Sequence, residues 1–300
     1  MQRAHVVPPA ERQSLSDLEL IARTTVEGLR QGLHRSPFHG YSAEFAQYRH
    51  YRPGDDLKHV DWKLFGRTDR LYTRQFRETT NLAALFVVDA SRSMAFPDPK
   101  DGGRQKFDVA RAATAALAAL VIDQGDAAGL VSETESGTTW LPPRSGRHHL
   151  RALLAALARL TPDSRAPIGD TLRRAVGRLR RRGLVVVLSD FYDEPASVDE
   201  VRRTARMGHE VIVIHVLAAE ELGLAGHRPC ELEDLETGAV RVVEPSVVRD
   251  AYRAEVAAFQ ARVERGVVSE GLDYLPLAAD QPLSAALRAF LVRRRARGVA

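Results

Sequence analysis

The run LFVVDASRSM, residues 85 to 94, drives four apolar residues into Asp89 and then sets hydroxyls at Ser91 and Ser93, each two positions further on. Carboxylate and hydroxyl oxygens are hard ligands, suited to Mg²⁺ or Mn²⁺ and poorly suited to zinc. A second acidic run, LVVVLSDFYDE, brings Ser189 and Asp190 after five apolar residues. Two carboxylates held together repel unless a cation lies between them. A third piece, PIGDTLRRAV at 167 to 176, opens a helix with Gly169, Asp170 and Thr171. Asp89, Ser91 and Ser93, with one oxygen from that turn and water, would leave a position for a further ligand. The same residues also admit plainer roles. The serines can cap a turn, Asp170 or Thr171 can cap a helix, and Asp190 can act on a cation through water.

The elements that must position these groups are visible from Asn81 onward, where apolar strands alternate with helical patterns. Such alternation is the mark of a parallel sheet covered by helices on both faces. Strands are expected near 82 to 89, 126 to 132, 137 to 142, 183 to 189, 209 to 217 and 272 to 276. Helices are expected near 104 to 123, 147 to 160, 168 to 182, 196 to 207, 246 to 265 and 282 to 296. Ligands of an open α/β sheet bind outside the carboxyl ends of the strands. Asp89 and Asp190 therefore share a crevice if their strands are neighbours. A hairpin, CELEDLETGAVRVVE, interrupts the alternation, and Tyr252, Val256, Phe259 and Val263 mark the buried stripe of the next helix.

Ahead of the sheet, Ser16 and Glu19 form a capping-box pattern, and Leu18, Ala22, Val26, Leu29 and Leu33 line one helix face. The chain thus divides into a flexible arm over 1 to 15, a helix with a mixed aromatic and charged segment over 16 to 80, and an α/β domain over 81 to 296. Its 44% hydrophobic content over 300 residues suffices for a substantial core. With 43 basic and 39 acidic residues, the net charge of +4 does not demand a nucleic-acid partner. One cysteine, Cys230, excludes an intrachain disulfide and a Cys-rich zinc site. No apolar run reaches the roughly 20 residues that span a bilayer, so a soluble, cytoplasmic chain is expected.

The Asp-x-Ser-x-Ser of DASRSM and the strand-ending Asp190 resemble the metal-ion-dependent adhesion site of the von Willebrand factor type A fold, over about residues 81 to 292. Where that pattern has Gly-Thr-Asp-Leu, this chain has Gly169-Asp170-Thr171-Leu172. Either Asp170 takes the metal position or Thr171 reaches it through a one-residue shift. Residues 34 to 76 resemble the signature of family 58 of the domains of unknown function, with Tyr51, Pro53, Gly54, Asp55 and Asp56, then Asp61, Trp62 and Lys63, then Arg67, Thr68, Asp69 and Arg70. The run GLDYLPLAADQPLSAALRAFLVRRR is also of the family's type, and the chain resembles its shorter, soluble branch. The resemblance implies a von Willebrand factor type A-like (Rossmann-like) α/β fold with a small N-terminal appendage. It also implies a non-enzymatic, metal-dependent interaction module, an adaptor or maturation factor for a client protein, working with a MoxR-type AAA+ ATPase.

In the signature segment, Asp55, Asp61 and Asp69 interleave with Arg49, Arg52, Arg67, Arg70 and Arg74. A salt-bridge lattice is the simplest reading. A partner surface built from Arg52, Asp55, Asp56, Asp61, Trp62, Lys63 and Arg67 is the sharper one. His148, His149, His227 and Cys230 lack metal-site spacing and read as surface residues. Arginines at 173, 174, 178 and 180 to 182, and at 293 to 295 and 297, read as solvated helix faces before they read as a nucleic-acid surface. The best enzymatic rival is a phosphatase of the haloacid dehalogenase type. Its acid/base aspartate would stand at Ser91, which cannot transfer that proton near neutral pH.

Overall fold

A computed structural model describes residues 14–30, 43–52, 55, 60–78, 82–97, 104–224 and 229–297. The chain forms two compact units, one of Phe38–Leu82 and one of Met1–Pro37 together with Ala83–Ala300.

The larger unit is built on a six-stranded sheet. Its strands are β3 (Ala83–Val88), β4 (Ala127–Thr134), β5 (Gly137–Arg144), β6 (Leu184–Ser189), β7 (Glu210–Leu217) and β10 (Asp273–Ala278), in the order β10-β7-β6-β3-β4-β5. All neighbours are parallel except β4 and β5, which form an antiparallel hairpin, so the sheet is mostly and not wholly parallel. Two residues separate β4 from β5, too few for a parallel crossover. The winding reverses between β3 and β6, which places Asp89 and Asp190 side by side at the carboxyl end.

Both faces of the central strands are buried. Leu85, Val87, Val185, Val187, Val211 and Val213 pack against α5 (Ile168–Val176), α6 (Ala196–Arg206) and α7 (Pro245–Val268). Alternate residues Ala84, Phe86 and Val88 are also buried, on the opposite face. There α3 (Lys106–Asp123) lies against the sheet, and α1 (Leu15–Arg30), α4 (Arg147–Arg159) and α8 (Leu283–Arg297) pack on α3. Because α3 is enclosed nearly all round, its alanines and Arg111 are buried. The α7 stripe is deep only at its C-terminal part: Val263 is buried, while Tyr252, Val256 and Phe259 are half-buried.

Four expectations need correction. The α1 cap lies earlier than Ser16 and Glu19: Ser14 donates to Asp17 Oδ2 through both N–H and Oγ–H, at 2.9 and 2.7 Å. This helix also belongs with the sheet-bearing unit instead of the signature segment, because Leu18, Ala22, Val26 and Leu29 are buried in it. Leu33 and the arm up to residue 13 lie outside the described residues. Helix α5 ends at Val176 instead of 182, where Gly177 caps it; a helical glycine costs about 1 kcal/mol. His149 is half-buried and not a surface group, with Nε2 2.8 Å from the Ala128 carbonyl.

The smaller unit holds an antiparallel ribbon of β1 (Ala43–His50) and β2 (Tyr72–Glu78), with α2 (Trp62–Thr68) between them in sequence. Of the expected lattice, Arg49 and Asp55 do pair, at 2.7 Å. The other aspartates are helix caps: Asp61 accepts the N–H groups of Lys63 and Leu64 at 3.0 Å, and Asp69 takes a left-handed conformation at φ 55°.

Candidate functional site

Asp89, Ser91, Ser93 and Asp190 line one cleft of about 250 Å³ at the carboxyl ends of β3 and β6, with Arg165 to Ile168, Tyr192, Asp193 and Glu236 completing it. The loop after β3 is fixed by its own aspartate: Asp89 Oδ1 accepts the Ser91 N–H at 2.8 Å, and Oδ2 accepts the Ser189 hydroxyl at 2.5 Å. This arrangement sets the Ser91 and Ser93 hydroxyls 3.1 Å apart. Burial, and then the neighbouring charge of Asp190, push the Asp89 carboxyl up to about 7, against the pull of its hydrogen bonds.

Three groups absent from the sequence reading complete the electrostatics. Lys106, the first residue of α3, is fully buried and binds Asp190 Oδ2 at 2.8 Å and Glu221 Oε1 at 2.6 Å. Its ammonium also lies 4.6 Å from the Tyr192 ring centre. Burial alone would lower its pKa, but the two carboxylates outweigh that and raise it. His215 on β7 is buried beside Asp190, with Nε2 3.0 Å from the Asp190 carbonyl oxygen and Nδ1 2.7 Å from the Tyr274 hydroxyl. A carbonyl only accepts, so Nε2 carries the proton and Nδ1 accepts from Tyr274. Burial pushes this imidazole down to about 4, which keeps it neutral. Phe191, the next residue after Asp190, is buried at φ 56°. A bulky residue there stores roughly 1–3 kcal/mol of strain.

Neither candidate from the third piece lines the cleft. Asp170 is turned to Arg173 on its own helix, and the buried Thr171 donates to Glu133 Oε2 on β4 at 3.1 Å. Both sit inside the first turn of α5, whose cap position is Pro167, so neither caps the helix. The cleft wall is instead made by Arg165 to Ile168. The loop before it is tied to the β3 end by the Ser164 N–H, which donates to the Ala90 carbonyl at 2.8 Å. Gly169 is held by α6, its N–H donating to Ser197 Oγ at 2.9 Å.

The donor chemistry fits a hard divalent cation. Four carboxylates (Asp89, Asp190, Asp193 and Glu236), two serine hydroxyls and Arg165 line one space, and the Lys106 ammonium is taken up by Asp190 and Glu221 and not by Asp89, so carboxylate is in excess. Among the described residues, no three His, Cys, Asp or Glu side chains form a metal cluster by themselves. A cation here would therefore depend on the serine hydroxyls, which implies weak affinity.

In the signature segment, Trp62 is 59% exposed and Lys63 and Arg67 are also exposed on α2. Arg52 is exposed, Asp55 and Asp61 are engaged as described, and Asp56 lies outside the described residues, as do Pro53, Gly54 and His227. The arginine clusters are partly spent on neighbours. Arg174 pairs with Glu133, Arg178 covers the Trp140 ring at 5.4 Å, and the buried Arg294 pairs with Glu210 and Asp273. No helix among the described residues is long and apolar enough to cross a membrane.

Strand order, the antiparallel edge and the Asp-x-Ser-x-Ser loop at the winding reversal define a von Willebrand factor type A-like α/β domain. The family described as "Protein of unknown function DUF58" matches residues 47–262, and the chain belongs to it. It is 31% identical over 301 residues to "Uncharacterized protein Rv1480" of Mycobacterium tuberculosis, covering 98% of this chain and 93% of that one. It is 27% identical over 169 residues to "Uncharacterized protein YeaD" of Bacillus subtilis, covering 55% of this chain and 39% of that one. Among solved structures it is similar to BatB from Bacteroides thetaiotaomicron, with TM-score 0.41 and 15% identity over 72% of this chain and 99% of that one. It is also similar to the SpRpn10 VWA domain, with TM-score 0.42 and 15% identity over 69% of this chain and 94% of that one.

Proposed function

We propose that this protein is a non-enzymatic, metal-dependent interaction module that holds Mg²⁺ or Mn²⁺ in the Asp89 cleft. In this reading it serves a MoxR-type AAA+ ATPase as an adaptor or maturation factor for a client protein. The carrying observation is the pairing of a hydroxyl-rich loop with an excess of buried carboxylate over ammonium. Asp89, Ser91 and Ser93 would hold the cation, with Asp190 opposite them. Such a cation, held mainly by neutral hydroxyls, would supply residual positive charge for an acidic side chain of a partner. The ATPase partnership is supported by the family resemblance of residues 34 to 76. Against the phosphatase, Ser91 still stands where the acid/base carboxylate belongs.

The test is co-elution of the purified chain with a MoxR-type ATPase from the same organism, in Mg²⁺ and in chelator, with a phosphatase assay on the same sample. A complex formed in Mg²⁺, reduced by Asp89→Ala and accompanied by no turnover, supports the reading. Turnover that depends on Asp89, or a complex indifferent to both changes, contradicts it.

A further inference from the structure

The hairpin of β8 (Cys230–Glu233) and β9 (Val240–Val243) is separate from the six-stranded sheet. Two strands alone are marginally stable in water. Most of its side chains are exposed, Val242 by 72% and Val240 by 55%, yet Glu236 in its turn is half-buried. The turn does not use the Glu236 carboxylate. Asp234 closes it, accepting the N–H of Glu236 at 2.9 Å and the Thr237 hydroxyl at 2.7 Å. Glu236 instead reaches across to the cation-type loop, where Oε1 accepts the Ser93 N–H at 2.8 Å.

Glu236 therefore stands at the mouth of the cleft that holds Asp89 and Asp190. It also borders a second cavity of about 530 Å³, where Phe96, Leu224 and Tyr252 stand beside the acidic Glu220, Glu221 and Glu233, and Ser93 and Tyr192 line both spaces. Glu236, Ser93 and Tyr192 are thus the wall the two spaces share. A carboxylate sharing a cleft with Asp190 and Asp193 meets like charge, and the Ser93 amide is the donor that holds it there.

We infer that Glu236 is an internal ligand, occupying the place of a partner's carboxylate, so that an acidic side chain of a partner binds by displacing Glu236 and lifting the 230–243 hairpin. The inference deepens the proposed function and rests on its partner-binding reading of the same cleft. It gives the domain a closed state with no second protein. The hairpin, tethered to its own site, competes at the high local concentration that a short linkage confers.

The test uses the full-length chain, the Glu236→Ala variant, and a labelled peptide of residues 229 to 243 carrying serine in place of its cysteine. Fluorescence anisotropy in the presence of Mg²⁺ should show the peptide binding the variant at least about tenfold more tightly than the wild type. Replacing the peptide's own Glu236 with Gln should abolish this binding. Hydrogen exchange should be faster over 230 to 243 and at the Ser93 amide in the variant. Unchanged hairpin exchange, or a peptide that binds both proteins alike, overturns the inference. Mn²⁺ calorimetry on the same samples separates the two ideas. Absence of Mn²⁺ binding to the wild type, with altered hairpin exchange in the variant, defeats the cation reading alone, whereas Mn²⁺ binding to the wild type with unaltered exchange in the variant defeats the internal ligand alone.

Discussion

Replacing Lys106 with Met keeps an unbranched apolar stem and removes the ammonium, which lies 4.6 Å from the Tyr192 ring centre and 6.0 Å from that of Phe96. Asp190 and Glu221 are then buried without their shared counter-ion. Breaking a buried ion pair by deleting one partner costs roughly 3–5 kcal/mol, because the other charge is left uncompensated. For a domain of this size that is a fall in Tm of roughly 6–20 °C. The pH dependence separates this cause from lost packing. The Lys106 pKa is raised in the folded protein, so its contribution is complete below its ordinary value and is lost only as pH rises through the folded value. In the wild type that contribution is constant between about pH 5 and 8. In the variant Glu221, whose carboxyl burial already raises, binds a proton more readily folded than unfolded, so the deficit shrinks as pH falls. Urea unfolding followed by tryptophan fluorescence reports it, since Trp140 lies on β5 of the sheet. A deficit below about 1 kcal/mol at about pH 8, or one that grows in acid, would refute the reasoning.

Asp89 and His215 carry opposite linkages. Asp89, pushed up to about 7, loses stability as pH rises toward that value, while His215, pushed down to about 4, loses it as pH falls toward that value. Urea midpoints across this window should therefore be flatter for the wild type than for either single variant. They should fall in acid for Asp89→Asn and rise in acid for His215→Gln, each by up to about 1.4 kcal/mol per pH unit. Thr171→Val should leave Mn²⁺ affinity within about twofold, since its hydroxyl is committed to Glu133, while Ser93→Ala should weaken it about tenfold or more, both read by calorimetry. Gly129 sits at the β4 irregularity, where an added Cβ would lie 2.7 Å from the Leu141 carbonyl oxygen. Thermal melts of Gly129→Ala should show a loss of about 2 kcal/mol or more.

The sheet was legible because strands buried on both faces must be apolar throughout, as in LFVV and LVVVL, and because turn residues bound them. The expected parallel sheet is present, with β5 added as an antiparallel edge whose strand pair extends further toward its turn than the expected 126 to 132 and 137 to 142. The cleft was half legible. Asp89, Ser91, Ser93 and Asp190 announce themselves by breaking apolar runs, but Lys106 looks like any polar residue at a helix start. Its signal is the company it keeps, since a lysine opening an otherwise apolar, enclosed helix must find carboxylates. Glu236 and Glu221 gave no signal, because their partners are distant in sequence. Asp170 and Thr171 were read from a motif as a string, whereas the helical turn directs them to Arg173 and Glu133.

The most direct test of the central claim is calorimetric titration of Mn²⁺ into the wild type and into Asp89→Ala. The account predicts weak, saturable binding to the wild type, strengthening as pH rises through about 7 and lost in the variant. Absence of binding to the wild type, or binding that survives in Asp89→Ala, would contradict it.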